Sequence, residues 1–366
     1  MYKSIKINKF RGFREFNMDS MARINLIAGK NNVGKTAFLE AMFLHCGAYN
    51  PSLTLGLDKF RGFDKIHIEL GSTQSPWDSL FNNFDKYSAI EIEGKFTDGS
   101  VRKINLKAVQ PFEESPEKGP IIQYGTSTLE NIPLDSEDTV VLRLDYEEES
   151  AENESRKKKS GSSFMSIGPK GVSTPIIKPP PFLTIFQPAR YRFPPQEDAK
   201  RFSNLEIIGE EDMLLEALKI FEPGLKHISV VASGGGPVLY GDIGLSQMLR
   251  LAYMGDGMSK LASIVLAIGN AKDGVVLVDE IENGFHHSMM QKVWAAIDRA
   301  ARRSNTQVFA TTHSLECIIA AHKAFIEAER YDLLVHRLDR IDDTVKDVTF
   351  SKLDLDTAFE FKMDVR

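Results

Sequence analysis

The stretch Gly29-Lys30-Asn31-Asn32-Val33-Gly34-Lys35-Thr36 most narrows what this chain can fold into. Its spacing, G-x-x-x-x-G-K-[ST], is that of a loop joining a buried strand to the start of a helix. Ile24–Ala28 supplies the apolar strand, and a helix predicted from Lys35 to about Cys46 follows, dense in Phe38, Leu39, Met42 and Phe43. The layout has a physical reason. Backbone N–H groups must turn inward around an anion, and glycine permits both the dihedrals and the close approach. The helix N-terminus adds positive potential at the same place. The pattern nominates Gly29, Asn31, Asn32, Val33, Gly34, Lys35 and Thr36 as phosphate-binding positions. Lys35 is the candidate for the β- and γ-phosphates and the Thr36 hydroxyl for Mg²⁺.

A second constellation stands far downstream. Gly274-Val275-Val276-Leu277-Val278-Asp279-Glu280 is a continuous apolar run ending in two carboxylates, the pattern of a strand buried on both faces of a parallel sheet. Asp279 is the candidate to hold Mg²⁺ with Thr36, and Glu280 the candidate to orient a water. A helix is predicted over 288–303, with Met289, Val293, Trp294 and Ile297 inward and Lys292, Arg299, Arg302 and Arg303 outward. The run from Gln307 to Ser314 reads as a strand that places His313 at the carboxyl edge, where such sheets bind ligands. Between these regions, Met254-Gly255-Asp256-Gly257-Met258-Ser259-Lys260 reads as a glycine-rich loop feeding a helix. Gly255 and Gly257 are candidate anion contacts there. No lysine–threonine pair follows them, so they suit completion of another subunit's site.

The rest of the chain sets the frame. Its 366 residues carry a net charge of −6, so there is no global basic field and nucleic acid would have to meet a local patch. With 42% hydrophobic and 26% charged residues the composition is globular, and no apolar run is long enough to span a membrane. The two cysteines, Cys46 and Cys317, lie in apolar helical runs and read as reduced, buried thiols, which suits a cytoplasmic protein. Period-two alternation predicts a hairpin turning at Asp98-Gly99 and a further strand from Thr139 to Tyr146. The acidic run at 147–149, the basic run at 156–159 and Pro179–Pro181 predict a solvated, flexible insertion. The basic run is alternatively a phosphate contact. Three segments result: an N-terminal core with the loop (1–50), an inserted region with a β-hairpin lobe and the flexible segment (51–181), and a C-terminal core (182–366).

The order of these motifs resembles the ABC-type ATPases, within them the RecF/SMC-like soluble branch, and most of all the OLD-family and related AAA-type ATPases of bacterial anti-phage defence. The carriers are residues 29–36, Val278-Asp279-Glu280-Ile281-Glu282-Asn283-Gly284, Ala310-Thr311-Thr312-His313-Ser314 and Asn8-Lys9-Phe10-Arg11-Gly12-Phe13. The resemblance implies an α/β P-loop NTPase: an ABC-type ATPase head with a mixed sheet, an antiparallel β subdomain and a helical signature lobe. It implies ATP hydrolysis, a homodimer or higher oligomer with two ATP molecules sandwiched between P-loops and opposing signature loops, His313 as γ-phosphate switch, and 282–287 as dimer-facing loop. Gly255 or Asp256 stands where the usual signature serine would be, and Gln187 is the candidate for the glutamine of a Q-loop. No acidic cluster marks the TOPRIM nuclease of OLD proteins, so a separate nuclease or toxin effector is expected, with this chain as its sensor subunit. Three alternatives stay open: a GTPase, a transporter ATPase, and an SMC/RecF-like ATPase that binds DNA in repair or maintenance.

Overall fold

The structure, a computed structural model, describes residues 1–62, 77–109, 140–152, 155–168, 171–174, 178–233 and 235–366. Alternation builds the first layer. β1 (Tyr2–Phe10) and β2 (Phe13–Met18) turn back on each other, and β3 (Ile24–Ala28) then leaves for a different sheet. After α1 (Lys35–Cys46) and α2 (Leu53–Phe60) the chain returns through β4 (Ile90–Phe96), β5 (Val101–Val109), β6 (Val140–Glu152), β7 (Ser155–Gly168) and β8 (Gly171–Ser173). These pair antiparallel with β1 and β2 in the order β2-β1-β4-β5-β6-β7-β8. In β4, Ile90, Ile92 and Phe96 face the core while Glu91, Glu93 and Lys95 face away, as period two requires.

The second layer is a mixed sheet. The chain continues through β9 (Thr184–Gln187), α3 (Pro195–Ile207), α4 (Asp212–Leu218), β10 (His227–Ser233), β11 (Gly236–Asp242), β12 (Leu249–Arg250) and α5 (Asp256–Asn270). It closes with β13 (Val275–Val278), α6 (Met290–Arg303), β14 (Gln307–Thr311), α7 (Leu315–Ile326), β15 (Leu333–Ile341), β16 (Thr344–Phe350) and α8 (Lys352–Glu360). The strand order β16-β15-β3-β14-β13-β9 is parallel except for β16. β3, β13 and β14 are buried along their whole length because both faces are covered. Val276, Val278, Val308 and Ala310 pack among the helices of one face, whereas Val275, Leu277 and Phe309 pack toward α1 and the antiparallel sheet on the other. α1 therefore lies between two sheets, which is why it is apolar nearly all round. α3, α4 and the small sheet of β10, β11 and β12 form the helical lobe beside it.

Several sequence expectations change here. The charged stretch expected to be a flexible insertion is strand over residues 147–152 and 155–168. The reason is charge complementarity: Glu148 faces Lys159 and Glu149 faces Lys158 across β6 and β7, while Arg102 flanks Glu148 from β5. The two runs expected to be solvated singly lie opposite each other in register. The loop expected at 254–260 is shorter, since the helix already begins at Asp256. α6 starts at Met290, which takes the buried position assigned to Met289, and two of its outward cations are engaged. Arg302 pairs with Asp298 and Asp332, and Arg303 with Glu210 and Asp212. α3 had no sequence signal strong enough to nominate it. Thr139, named above, lies outside the described residues.

Candidate nucleotide site

The loop after β3 is shaped by contacts behind it. Gly29 sits at φ 140°, and a Cβ there would lie 2.8 Å from the Leu338 carbonyl. Gly34 sits at φ 120°, over the ring of Phe13. Neither position accepts a side chain, so β15 and the β1–β2 turn hold the loop from below. Val33 packs its side chain into the core beside Gly29, leaving only its backbone toward the loop's concave face. The Lys35 ammonium donates to the carbonyls of Gly29 (2.6 Å) and Lys30 (3.0 Å). Burial pulls it below the ordinary lysine range, against the opposing pull of Glu282, Asp279 and Glu280.

The end of β13 meets this loop directly. Thr36 Oγ1 donates to both carboxylate oxygens of Asp279, each over 3.1 Å, across 243 residues of chain. Thr311 Oγ1, at the end of the neighbouring β14, donates to Asp279 Oδ1 (2.6 Å) and accepts the Glu280 N–H (2.8 Å). Burial lifts the Asp279 carboxyl above the usual range; the two threonine hydroxyls oppose the shift and Glu280 adds to it. Glu280 takes a left-handed backbone at φ 49°, with its carbonyl accepting from Lys260 of α5 (3.3 Å) and its carboxylate from Asn283 (2.7 Å). One oxygen of Glu282 accepts both the His313 N–H (2.8 Å) and His313 Nδ1 (2.9 Å). That pairing anchors a histidine whose side chain is 52% exposed.

A cavity of about 1390 Å³ joins these groups; it is lined by Asn31, Asn32, Gly34, Lys35 and Thr36 on the loop side and by Asp279, Glu280, Thr311 and His313 on the sheet side. Its basic wall comes from Lys9, Arg11, Arg14, Arg61, Arg190 and Arg340. Behind that wall Glu40 is fully buried on α1 and paired with Arg11 (2.6 Å) and Arg61 (2.6 Å). The carboxylate fixes two guanidinium groups at the cavity's edge.

Residues 4–221 match the profile of a family described as an AAA domain. The chain belongs to the AAA-domain family. Residues 186–318 of this AAA-domain protein also match the description "AAA domain, putative AbiEii toxin, Type IV TA system". It is 24% identical over 340 residues to an ATP/GTP phosphatase of Helicobacter pylori, covering 87% of this chain and 86% of that protein. A 110-residue stretch, 30% of this chain and 28% of the relative, is 28% identical to the DNA replication and repair protein RecF of Clostridioides difficile. Among solved structures, an SmcHead bound to the C-winged helix domain of ScpA superposes with a TM-score of 0.53 at 12% identity, over 98% of this chain and 99% of that one. The fold is that of an SMC-type P-loop ATPase head.

The structure brings Lys35, Thr36, Asp279, Glu280 and His313 to one cavity. It does not bring Gly255 and Gly257 there. Gly255 looks into open space, and Gly257 packs against the Gly284 carbonyl and the Phe285 ring, on the loop that follows β13. Gln187 ends β9 beside β13, but its side-chain amide donates to the Ser263 carbonyl (3.2 Å) of α5. Sequence reasoning passed over Thr311, Lys260 and the Arg11–Glu40–Arg61 group. A threonine at the end of a buried strand was the available signal for Thr311. Nothing in the spacing marks Lys260, whose ammonium reaches Glu280 only because α5 crosses behind β13. No helix among the described residues is long and apolar enough to cross a membrane.

Proposed function

We propose that this AAA-domain protein binds and hydrolyses ATP with Mg²⁺, as a dimer that closes on nucleotide and opens after hydrolysis. The observation that carries the reading is the Thr36–Asp279 contact, which sets a hydroxyl and a buried carboxylate side by side beneath the phosphate loop. Oxygen donors of this kind suit Mg²⁺, so Thr36 and Asp279 would hold it. When bound it neutralises charge on the β- and γ-phosphates. Lys35 exchanges its two loop carbonyls for phosphate oxygens, and the anion restores the ammonium that burial disfavours. Glu280 orients a water toward the γ-phosphorus and takes its proton, as the bond to the β–γ bridging oxygen breaks and ADP leaves. His313, anchored by Glu282, faces the γ-phosphate. Gly255 and Gly257 lie off this chain's own cavity, which suits contact with nucleotide held by a second copy.

We further infer a biological setting in which the chain is the sensor and regulatory subunit of a separate nuclease or toxin effector in bacterial anti-phage defence. The match over 186–318 to a family described with toxin–antitoxin words supports it. A second reading, a DNA-binding ATPase in repair or maintenance, is favoured by the RecF-like stretch. The tests are direct. Lys35→Ala should abolish tight ATP binding, and Glu280→Gln should bind ATP, turn over at least 100-fold more slowly and double its mass in light scattering. Wild-type turnover in Glu280→Gln would remove that residue from its role. Duplex DNA that raises ATP turnover, with steeply salt-dependent binding, would favour the second setting.

A further inference from the structure

We propose that Phe84 is the platform on which the base of the nucleotide stacks, giving the cavity that the phosphate loop lines a purine subsite as well. The inference rests on the nucleotide reading above and adds to it the group that recognises the base.

Phe84 lines the same cavity as Lys35 and Thr36, yet its ring is 73% exposed. Among the described residues it has no aromatic partner, unlike Phe60 of the same cavity, which packs against Phe43 and Phe186. Its backbone is left-handed at φ 57°, directly after Asn83 at φ 54°. That conformation is unfavourable for a bulky residue, and solvent exposure of the ring offsets none of it. Folding stability therefore gives no account of the ring's position.

The surroundings hold it there firmly. Trp77, Leu80 and Phe81 are buried, and Phe81 bridges to Phe10 at the end of β1. The Arg11 N–H donates to the Leu80 carbonyl (2.7 Å), and Asn82 Nδ2 returns to the Arg11 carbonyl (2.7 Å). The segment is thus clamped to the β1–β2 turn, the element whose Phe13 supports Gly34 of the phosphate loop. An exposed flat ring, carried on a clamped stretch of backbone in the lining of a charged cavity, is what base stacking needs, and each base has a π-face to offer. Asn83, on the same wall, can meet the base edge with either end of its amide.

The test compares Phe84→Ala, Phe84→Trp and Lys35→Ala by calorimetry with two Mg²⁺-loaded probes, the imido analogue of ATP and inorganic tripolyphosphate. Phe84→Ala should bind the ATP analogue about tenfold more weakly and tripolyphosphate as the wild type does. Phe84→Trp should restore affinity for the analogue, with its indole emission quenched on binding. The wild type, whose two tryptophans Trp77 and Trp294 are buried and emit at shorter wavelength than an exposed indole, supplies the reference signal. Wild-type affinity for the analogue in Phe84→Ala, with both probes lost in Lys35→Ala, would overturn the platform and leave the nucleotide site standing. Undiminished binding of both probes by Lys35→Ala would instead overturn the nucleotide reading, and the platform with it.

Discussion

The Thr311 hydroxyl joins the two acids that follow β13: it donates to Asp279 Oδ1 over 2.6 Å and accepts the Glu280 N–H over 2.8 Å. One side chain from β14 thereby sets the acid that faces Thr36 and fixes the backbone from which Glu280 projects. Because Glu280 is held at a positive φ, its direction depends on such restraints.

Thr311→Val keeps the shape and removes both hydrogen bonds. With Glu280 released, kcat for ATP hydrolysis should fall about 10- to 100-fold while KM stays within about threefold. Thr311→Ser should recover most of the rate. Steady-state phosphate release checks both variants, and a valine variant with unchanged kcat would show that Glu280 is aimed by other contacts.

Lys260 restrains the same residue from the other side, through the Glu280 carbonyl. Its ammonium is pulled below the usual range by burial, and Glu282, Asp279 and Glu280 oppose that pull. Lys260→Met removes a cation that favours ionised acids around it. The acidic limb of the kcat–pH profile should move to higher pH, with kcat at neutral pH about tenfold lower. A profile that merely drops without shifting would make Lys260 a packing residue.

Asp279 is expected to lower the stability of the nucleotide-free protein. Its folded-state carboxyl is lifted above the usual range, chiefly by burial. The contribution to stability is therefore present below the unfolded carboxylate value and lost as pH rises through the folded one. At neutral pH the charge is buried, while the nearby Lys35 and Lys260 ammonium groups are turned to backbone carbonyls. Asp279→Asn should raise the nucleotide-free Tm by a few degrees and abolish hydrolysis. Thermal unfolding measures this, and a lowered Tm would mean that the threonine hydrogen bonds outweigh the buried charge.

How much of this was legible beforehand depends on whether the signal was local. The loop at 29–36 and the acids at 279–280 are contiguous patterns, and the strands that carry them are continuous apolar runs, so the core sheet could be read. Lys260 and the Arg11–Glu40–Arg61 group are tertiary meetings between distant segments with no fixed spacing. The misreading at 147–168 has a different origin. Charge runs of opposite sign suggest solvation when taken singly, and only strand register turns them into partners: Glu148 receives Arg102 (2.7 Å) and the Tyr49 hydroxyl (2.8 Å), with Lys159 at 3.7 Å. Those partners draw its carboxyl below the usual range although burial pushes the other way. Glu148→Ala should cost about 1–3 kcal/mol in denaturant unfolding, well above the cost for a solvated glutamate.

The buried His45 gives the last prediction. Tyr2 donates its hydroxyl to His45 Nδ1 (2.7 Å), and His45 Nε2 donates to the Arg102 carbonyl (3.0 Å), so the neutral ring is satisfied between β1, α1 and β5. Burial, reinforced by the nearby Arg102 charge, lowers its pKa to about 3. The unfolded chain binds this proton near the ordinary histidine value of about 6.5, while the native state refuses it until about 3. Stability from this residue is complete above about 6.5 and is lost progressively as pH falls through that window, amounting to several kcal/mol at its lower end. His45→Gln can keep the hydrogen bond to the Arg102 carbonyl but carries no titrating proton. Its unfolding free energy should lie below the wild type's at pH 7 and fall less steeply between pH 6 and pH 4. Urea titrations across that range compare the two slopes, and equal slopes would mean that His45 is already protonated in the native fold.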